Sequence, residues 1–229
     1  MATIKVVEII DRVEAVLQDT GVRWPRLELQ NWLNEAYMNI VLLRPDANAQ
    51  TGTFTCAAGT RQQLTTVFPS ALKLLDITRN LAATSDKKVV RVVARSVLDD
   101  QKPSWHNETA VVNIQHFTYD PKNPKEFYVY PPATTAAELE VIYVDSPGSH
   151  ALSAAQLDPA SGNTTVILLD DIYLSPITDW ILYRAYSKDA EYSANEARAA
   201  ASFQAFTAAI GTKTQVDAAV APNPQATVT

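Results

Sequence analysis

The spacing of apolar residues in this chain changes twice, from steps of three and four near the start, to alternation in the middle, and back near the end. Side chains share a face about every 3.6 residues in a helix and every second residue in a strand, so this pattern predicts helices flanking a β region. Ile4, Val7, Ile10, Val13 and Leu17 trace the first amphipathic stripe, with Thr3 as its candidate N-cap. Gly21 closes that unit, and Pro25 suits the first turn of a second helix. Leu29, Leu33, Ala36, Ile40 and Leu43 form the apolar face of that helix, joined by Trp32 and Tyr37. Pro45 disfavours helical geometry in the residue before it and predicts a stop at Arg44.

In the middle region, Thr53 to Cys56 and Arg61 to Thr65 flank Ala57-Ala58-Gly59-Thr60 and read as a hairpin, with Gly59 in the left-handed turn position. Strand-like stretches follow at 73–78, 88–94, 110–118, 126–130 and 138–144, several of them parted by Asp120-Pro121, Asn123-Pro124 and Pro131-Pro132. After a connector over 146–165, Leu174, Ile177, Ile181 and Ala185 give a third helix, opened or kinked by Pro176. Asn195 is a cap candidate for a fourth helix through Ala197, Ala201, Phe203, Phe206 and Ile210, which Gly211 is placed to end.

The expected fold is α+β. Amphipathic stripes must be buried against something, so the N- and C-terminal helix pairs should form a four-helix bundle around an inserted all-β domain, sandwich or barrel-like. The expected boundaries are residues 1–48 and 164–211 for the bundle, 49–163 for the β domain, and 212–229 for an extended C-terminal tail. Three valines are the largest apolar side chains in that tail, too few for a core of its own.

Composition narrows the function. With 47% apolar and 19% charged residues the chain is an ordinary globular one, and it has no run of about 20 apolar residues such as a bilayer span requires. Its start lacks the basic-then-apolar pattern of a secretory signal, so the expectation is a soluble protein made in the cytoplasm. The net charge of -6 argues against holding nucleic acid by phosphate neutralisation, which needs clustered Lys and Arg. Lys87, Lys88, Arg91 and Arg95 alternate with valines, as in a strand with a solvated face.

No catalytic or cofactor motif stands out. Six scattered glycines make no phosphate cradle. His106, His116 and His150 lack the short-spaced partners of a zinc site, and Cys56 reads as a small apolar strand residue. Asp99-Asp100 and Asp170-Asp171 lie where helices begin or end and read as caps. The expectation is a protein that is not an enzyme and carries no cofactor or metal. Tyr183, Arg184, Tyr186, Lys188 and Glu191 form a segment with Arg184, Lys188 and Glu191 on one helical face. It reads equally as a solvated, salt-bridged surface or as a subunit contact, where Tyr and Arg are enriched.

Several strings taken in order carry a resemblance. They are Trp24-Pro-Arg-Leu-Glu-Leu-Gln-Asn-Trp-Leu-Asn-Glu-Ala, Leu43-Arg-Pro-Asp-Ala, Ala58-Gly-Thr-Arg-Gln, Arg79-Asn, Pro103-Ser-Trp-His, Phe127-Tyr-Val-Tyr-Pro-Pro, and Leu182-Tyr-Arg-Ala-Tyr-Ser-Lys-Asp-Ala-Glu-Tyr. Over residues 5–213 they resemble the head-to-tail adaptor proteins of tailed phages, similar to the tail tubular protein A or portal adaptor family of short-tailed phages. The resemblance implies a structural virion protein at the neck. It would form a ring, commonly of twelve copies, between the portal protein and the tail nozzle or tube. Genomic DNA would pass through the lumen without specific binding, which an acidic subunit suits. The polar tail is the expected portal contact, with Lys213, Val216, Val220, Pro222 and Pro224 as candidates. The competing readings are another neck or tail-completion protein, and a tail-associated hydrolase, which would need two carboxylates in a cleft.

Overall fold

A computed structural model describes residues 2–19, 21–189 and 193–220. In chain order the elements are α1 (Val6–Leu17), α2 (Arg26–Leu43), β1 (Ala49–Thr55), β2 (Gly59–Gln63), β3 (Ala71–Asn80), β4 (Arg91–Val92), α3 (Arg95–Gln101), β5 (His116–Tyr119), β6 (Glu126–Ala133), β7 (Glu138–Asp145), α4 (Ala154–Leu157), α5 (Leu174–Lys188) and α6 (Ser193–Val220). The fold is α+β. The chain divides into two compact units, one holding Met1–Ala47 with Pro147–Thr229 and the other Asn48–Ser146.

In the helical unit, α5 packs against α1, α2 and α6. Val6, Ile9, Ile10 and Val13 of α1, Leu29, Leu33, Ala36 and Ile40 of α2, and Ile177, Ile181 and Ala185 of α5 are all buried. Each large aliphatic side chain contributes roughly 1.5–3 kcal/mol by leaving water. Proline chemistry sets the limits of α2, which begins after Pro25 and ends before Arg44 and Pro45. Leu43, expected on the buried face, is instead half-exposed at the final turn.

Thr3 does not cap α1, which starts at Val6. Its backbone N–H and hydroxyl donate to Asp171, at 2.8 and 2.6 Å, and the Ile4 N–H donates to the same carboxylate at 3.2 Å. These bonds hold the Asp171 carboxyl below its usual range. Val6 N–H donates to the Thr165 carbonyl and Ile167 N–H to that of Ile4, each at 2.9 Å. The start of the chain is thus tied to the segment leading into α5.

Two expectations for the last helix are corrected. Asn195 lies inside α6, where its Nδ2 donates to Asp189 Oδ2 at 2.7 Å. Gly211 does not end the helix, which runs on to Val220, so residues 212–220 are helical and not an extended tail. A glycine stops a helix when it turns left-handed, whereas in helical geometry it costs about 1 kcal/mol relative to Ala. No proline follows until Pro222, so nothing forces an earlier stop.

The β unit holds two sheets, ordered β1-β7-β3 and β2-β6-β5-β4. All pairings are antiparallel except β4 with β5. Phe54, Leu64, Leu74, Phe127, Val129, Leu139 and Val141, drawn from strands of both sheets and the turn after β2, are buried in one cluster. The expected hairpin does not form: β1 pairs with β7 and β2 with β6, so the chain changes sheet over 56–58. Gly59 has φ +102°, open to glycine, but it serves this crossing.

The expected strand over 88–94 is also divided. Asn80 N–H donates to the Lys88 carbonyl and Val90 N–H to that of Thr78, at 3.0 and 3.1 Å, alongside β3. Arg91 N–H then donates to Gln115 and Val93 N–H to Phe117, at 3.1 and 2.9 Å, alongside β5. This run joins the two sheets along one side. The buried Asn80 side chain adds to the junction, donating to the Lys88 and Ile114 carbonyls and accepting from Ile114 N–H. Of the stretch 110–118, only 116–118 is strand, as part of β5 (His116–Tyr119), with a single bridge from Val111 to Ala133. The Asp99-Asp100 pair stands at the end of a helix, as expected, that of the short α3. Asp99 in its last turn accepts from the buried Trp105 indole at 2.9 Å and does not act as a backbone cap.

Candidate interaction surfaces

The residues singled out near the two ends meet along one seam. Trp24 is buried and donates its indole N–H to the Ala185 carbonyl at 3.1 Å. Lys188 Nζ is 2.6 Å from Glu28 Oε2, and Arg184 Nε is 3.1 Å from Glu35 Oε2, close enough for an ion pair but not aligned as a hydrogen bond. Arg23 pairs with Asp189. Arg26 reaches both Asp11 and Glu14 of α1 and the Leu157 carbonyl, with its side chain only 15% exposed. One and two turns on from Arg26 along the same face of α2, Gln30 and Asn34 act as a substitute strand edge. The Gln30 amide bonds the N–H and carbonyl of Leu152, and the Asn34 amide those of His150.

The expected contact residues are therefore largely engaged within the chain. Tyr183 packs with Trp180 and Phe203, at 5.4 and 5.1 Å between ring centroids. Tyr186 is buried under the Arg198 guanidinium. Arg184 and Lys188 pair with α2 while their side chains keep 41% and 46% exposure. Lys213, Val216 and Val220 fall on the backbone of α6, while Glu191, Pro222 and Pro224 lie outside the described residues. Leu17, Arg23, Trp24, Tyr186, Asp189, Asn195 and Arg198 line an open cleft of about 510 Å³ at one end of the seam.

One surface was missed. Leu27, Met38 and Leu42 of α2 are exposed, and Asn31 lies between them at helical spacing. Apolar residues run round α2, and only the side facing its neighbours was read as a stripe. Leu42 is the most exposed of them, at 77%.

The side chains considered for chemistry sit in packing roles. Burial pushes the Cys56 thiol up to about 12, so it is protonated at neutral pH. His106 stacks on Trp105 and meets the Thr60 hydroxyl at 2.8 Å. His150 meets the Tyr37 hydroxyl at 3.1 Å in a buried contact, and burial lowers its pKa. Among the described residues, no three His, Cys, Asp or Glu side chains are placed to hold a metal ion.

A family model described as SU10 adaptor protein matches residues 4–227. The chain belongs to this family. The adaptor is thus a structural component of a phage particle and interacts with other capsid or tail components. The match bears out the broader resemblance to phage adaptors; tail tubular protein A is not the family matched. No curated protein matches the adaptor. No described helix is long and apolar enough to cross a membrane.

Proposed function

We propose that the adaptor forms a ring at the neck of the particle, of twelve copies, between the portal protein and the tail nozzle or tube. The family match across residues 4–227 carries this reading. The four long helices act as one bundle, with the β domain inserted as a sandwich that meets neighbouring proteins. The ring works through its surfaces and without catalysis, and genomic DNA passes through its lumen unbound. The sequence charge of -6 favours passage over adhesion.

A cyclic ring needs two different lateral faces on every copy. The exposed α2 residues Leu27, Met38 and Leu42 supply apolar area for one. Arg184 and Lys188, still partly exposed beside them on α5, supply charge that can be shared with a neighbour. The end of α6 is suited to the portal. Trp180 meets Phe206 and Tyr183 meets Phe203, so α5 and α6 run antiparallel and Leu174 falls opposite residue 212. Residues 213–220 therefore extend about 12 Å past the start of α5, at about 1.5 Å per residue. Positions 213, 216 and 220 recur there at helical spacing, with Pro222 and Pro224 following.

Mixing the purified adaptor with its portal protein and counting subunits by mass or electron microscopy tests the ring. Truncation after Ile210 is expected to leave the fold intact and to abolish portal binding; unchanged binding refutes the assignment of the C-terminal segment.

A further inference from the structure

Four strands stand at sheet edges: β1 and β3 in one sheet, β2 and β4 in the other. Unpaired edges invite other strands, and proteins usually block them with charge, bulges, brevity or a covering segment. Three of these edges are blocked. The ladder of β2 shifts register between Gly59 and Arg61, and Arg61 adds charge. β4 has two residues, one of them Arg91, and β3 shifts register three times and is flanked by 88–90. β1 has none of these devices. Its seven residues, Ala-Gln-Thr-Gly-Thr-Phe-Thr, carry no charge and no proline, and pair with β7 without a register break from Ala49 to Thr55.

Which backbone groups face outward follows from two hydrogen bonds. Cys56 N–H donates to the Ala137 carbonyl at 2.9 Å, in the same register as the β1–β7 ladder. Leu81 N–H donates to the Glu138 carbonyl at 2.7 Å, so Glu138 serves β3 and Leu139 serves β1. Bonding alternates along an antiparallel pair, so Gln50, Gly52 and Phe54 bond to β7. Thr51, Thr53 and Thr55 direct their N–H and carbonyl groups away from it, and their side chains are exposed. No other described strand pairs with them.

The geometry points to β1 as a pairing edge for β1 of a second copy of this chain. Centred on Thr53, antiparallel self-pairing sets Thr53 opposite Thr53 and Thr51 opposite Thr55. All three outward residues then exchange backbone hydrogen bonds, and their side chains meet as Thr–Thr cross-strand pairs, a favourable combination. In the same register Gly52 falls opposite Phe54, small against large, and no like charges face each other along the strand. The self-complementary register is the reason for assigning a second copy and not a foreign strand. Such pairing joins two three-stranded sheets into one of six strands. It is isologous and closes at two copies, so it is separate from the head-to-tail contacts of a ring and does not depend on them.

Substitution at Thr53 tests this in the full chain. The Thr53 N–H points outward, so Thr53→Pro removes no bond to β7. Thr53→Lys or Thr53→Glu places like charges opposite each other. Light scattering should give twice the 25.1 kDa chain mass for the native protein and a single chain mass for each of the three variants. An equal mixture of Thr53→Lys and Thr53→Glu should recover the doubled mass. Thr53→Cys should cross-link to a dimer on a denaturing gel under oxidation, since Cα atoms in such a pair lie about 5.5 Å apart, within disulfide reach. Thr55→Cys should not, because its opposite residue is Thr51. Native Cys56 is buried and should give no background. A native protein that stays at the single mass overturns the proposal. In a larger assembly, absence of the Thr53→Cys cross-link, or equal cross-linking by Thr55→Cys, does the same.

Discussion

His150 is held by the Asn34 amide at its backbone and by Tyr37 at its ring, and burial keeps the ring neutral. Its folded pKa lies below the ordinary 6.5, so the unfolded chain takes up the proton first. The stability it contributes is complete above about pH 6.5 and is lost as pH falls toward the folded value. Urea midpoints measured between pH 7 and 5 should therefore fall in the native protein and fall less in His150→Gln. Arg26 makes a second residue-scale case. It joins α2 to two carboxylates of α1 and to a carbonyl near α4 while mostly buried. Arg26→Ala should cost about 2–3 kcal/mol in denaturant unfolding, since hydrogen bonds to charged groups contribute on the order of 1.5–3 kcal/mol. Neither role was legible in the sequence. A periodic pattern shows which positions are apolar but does not name the distant partner of a buried Arg or His. For the same reason the sequence leaves the segment of Tyr183 and Tyr186 even between a solvated surface and a subunit contact, and only α6 shows that both tyrosines pack within the chain.

Elements were legible where local chemistry decides them. Pro25 and Pro45 bracket α2 because proline acts on its own neighbours, and the stripes of α1, α2 and α5 were clear for the same reason. Strand pairing was not legible, because β1 finds its partner some 90 residues away in β7 and no turn between β1 and β2 dictates otherwise. Gly211 shows the limit from the other side, since a glycine permits a helix end without requiring one. A Cβ there would meet nothing within 4 Å. Gly211→Ala should thus raise stability by up to about 1 kcal/mol, read by thermal unfolding with unchanged or higher helical signal. A helix that ended at Gly211 in a left-handed turn would be destabilised by the same change.

At the scale of the molecule, each unit has a core of its own. Phe127 lies at the centre of the β cluster, fully buried and edge-on to Phe54 at 5.3 Å. Phe127→Ala should cost about 3–5 kcal/mol and speed amide exchange across both sheets, while α2 and α5 keep their protection. The two units also differ in how their sequence is laid out: residues 48–146 are continuous, whereas the helical unit is assembled from both sides of them. During translation, the β unit can therefore close as soon as Ser146 clears the ribosome. The first two helices must wait for Lys188 with their greasy sides uncovered, and even Thr3 lacks its acceptor until Asp171 has been made. At about 5–20 residues per second that delay is on the order of ten seconds, long enough for a chaperone to engage the nascent chain.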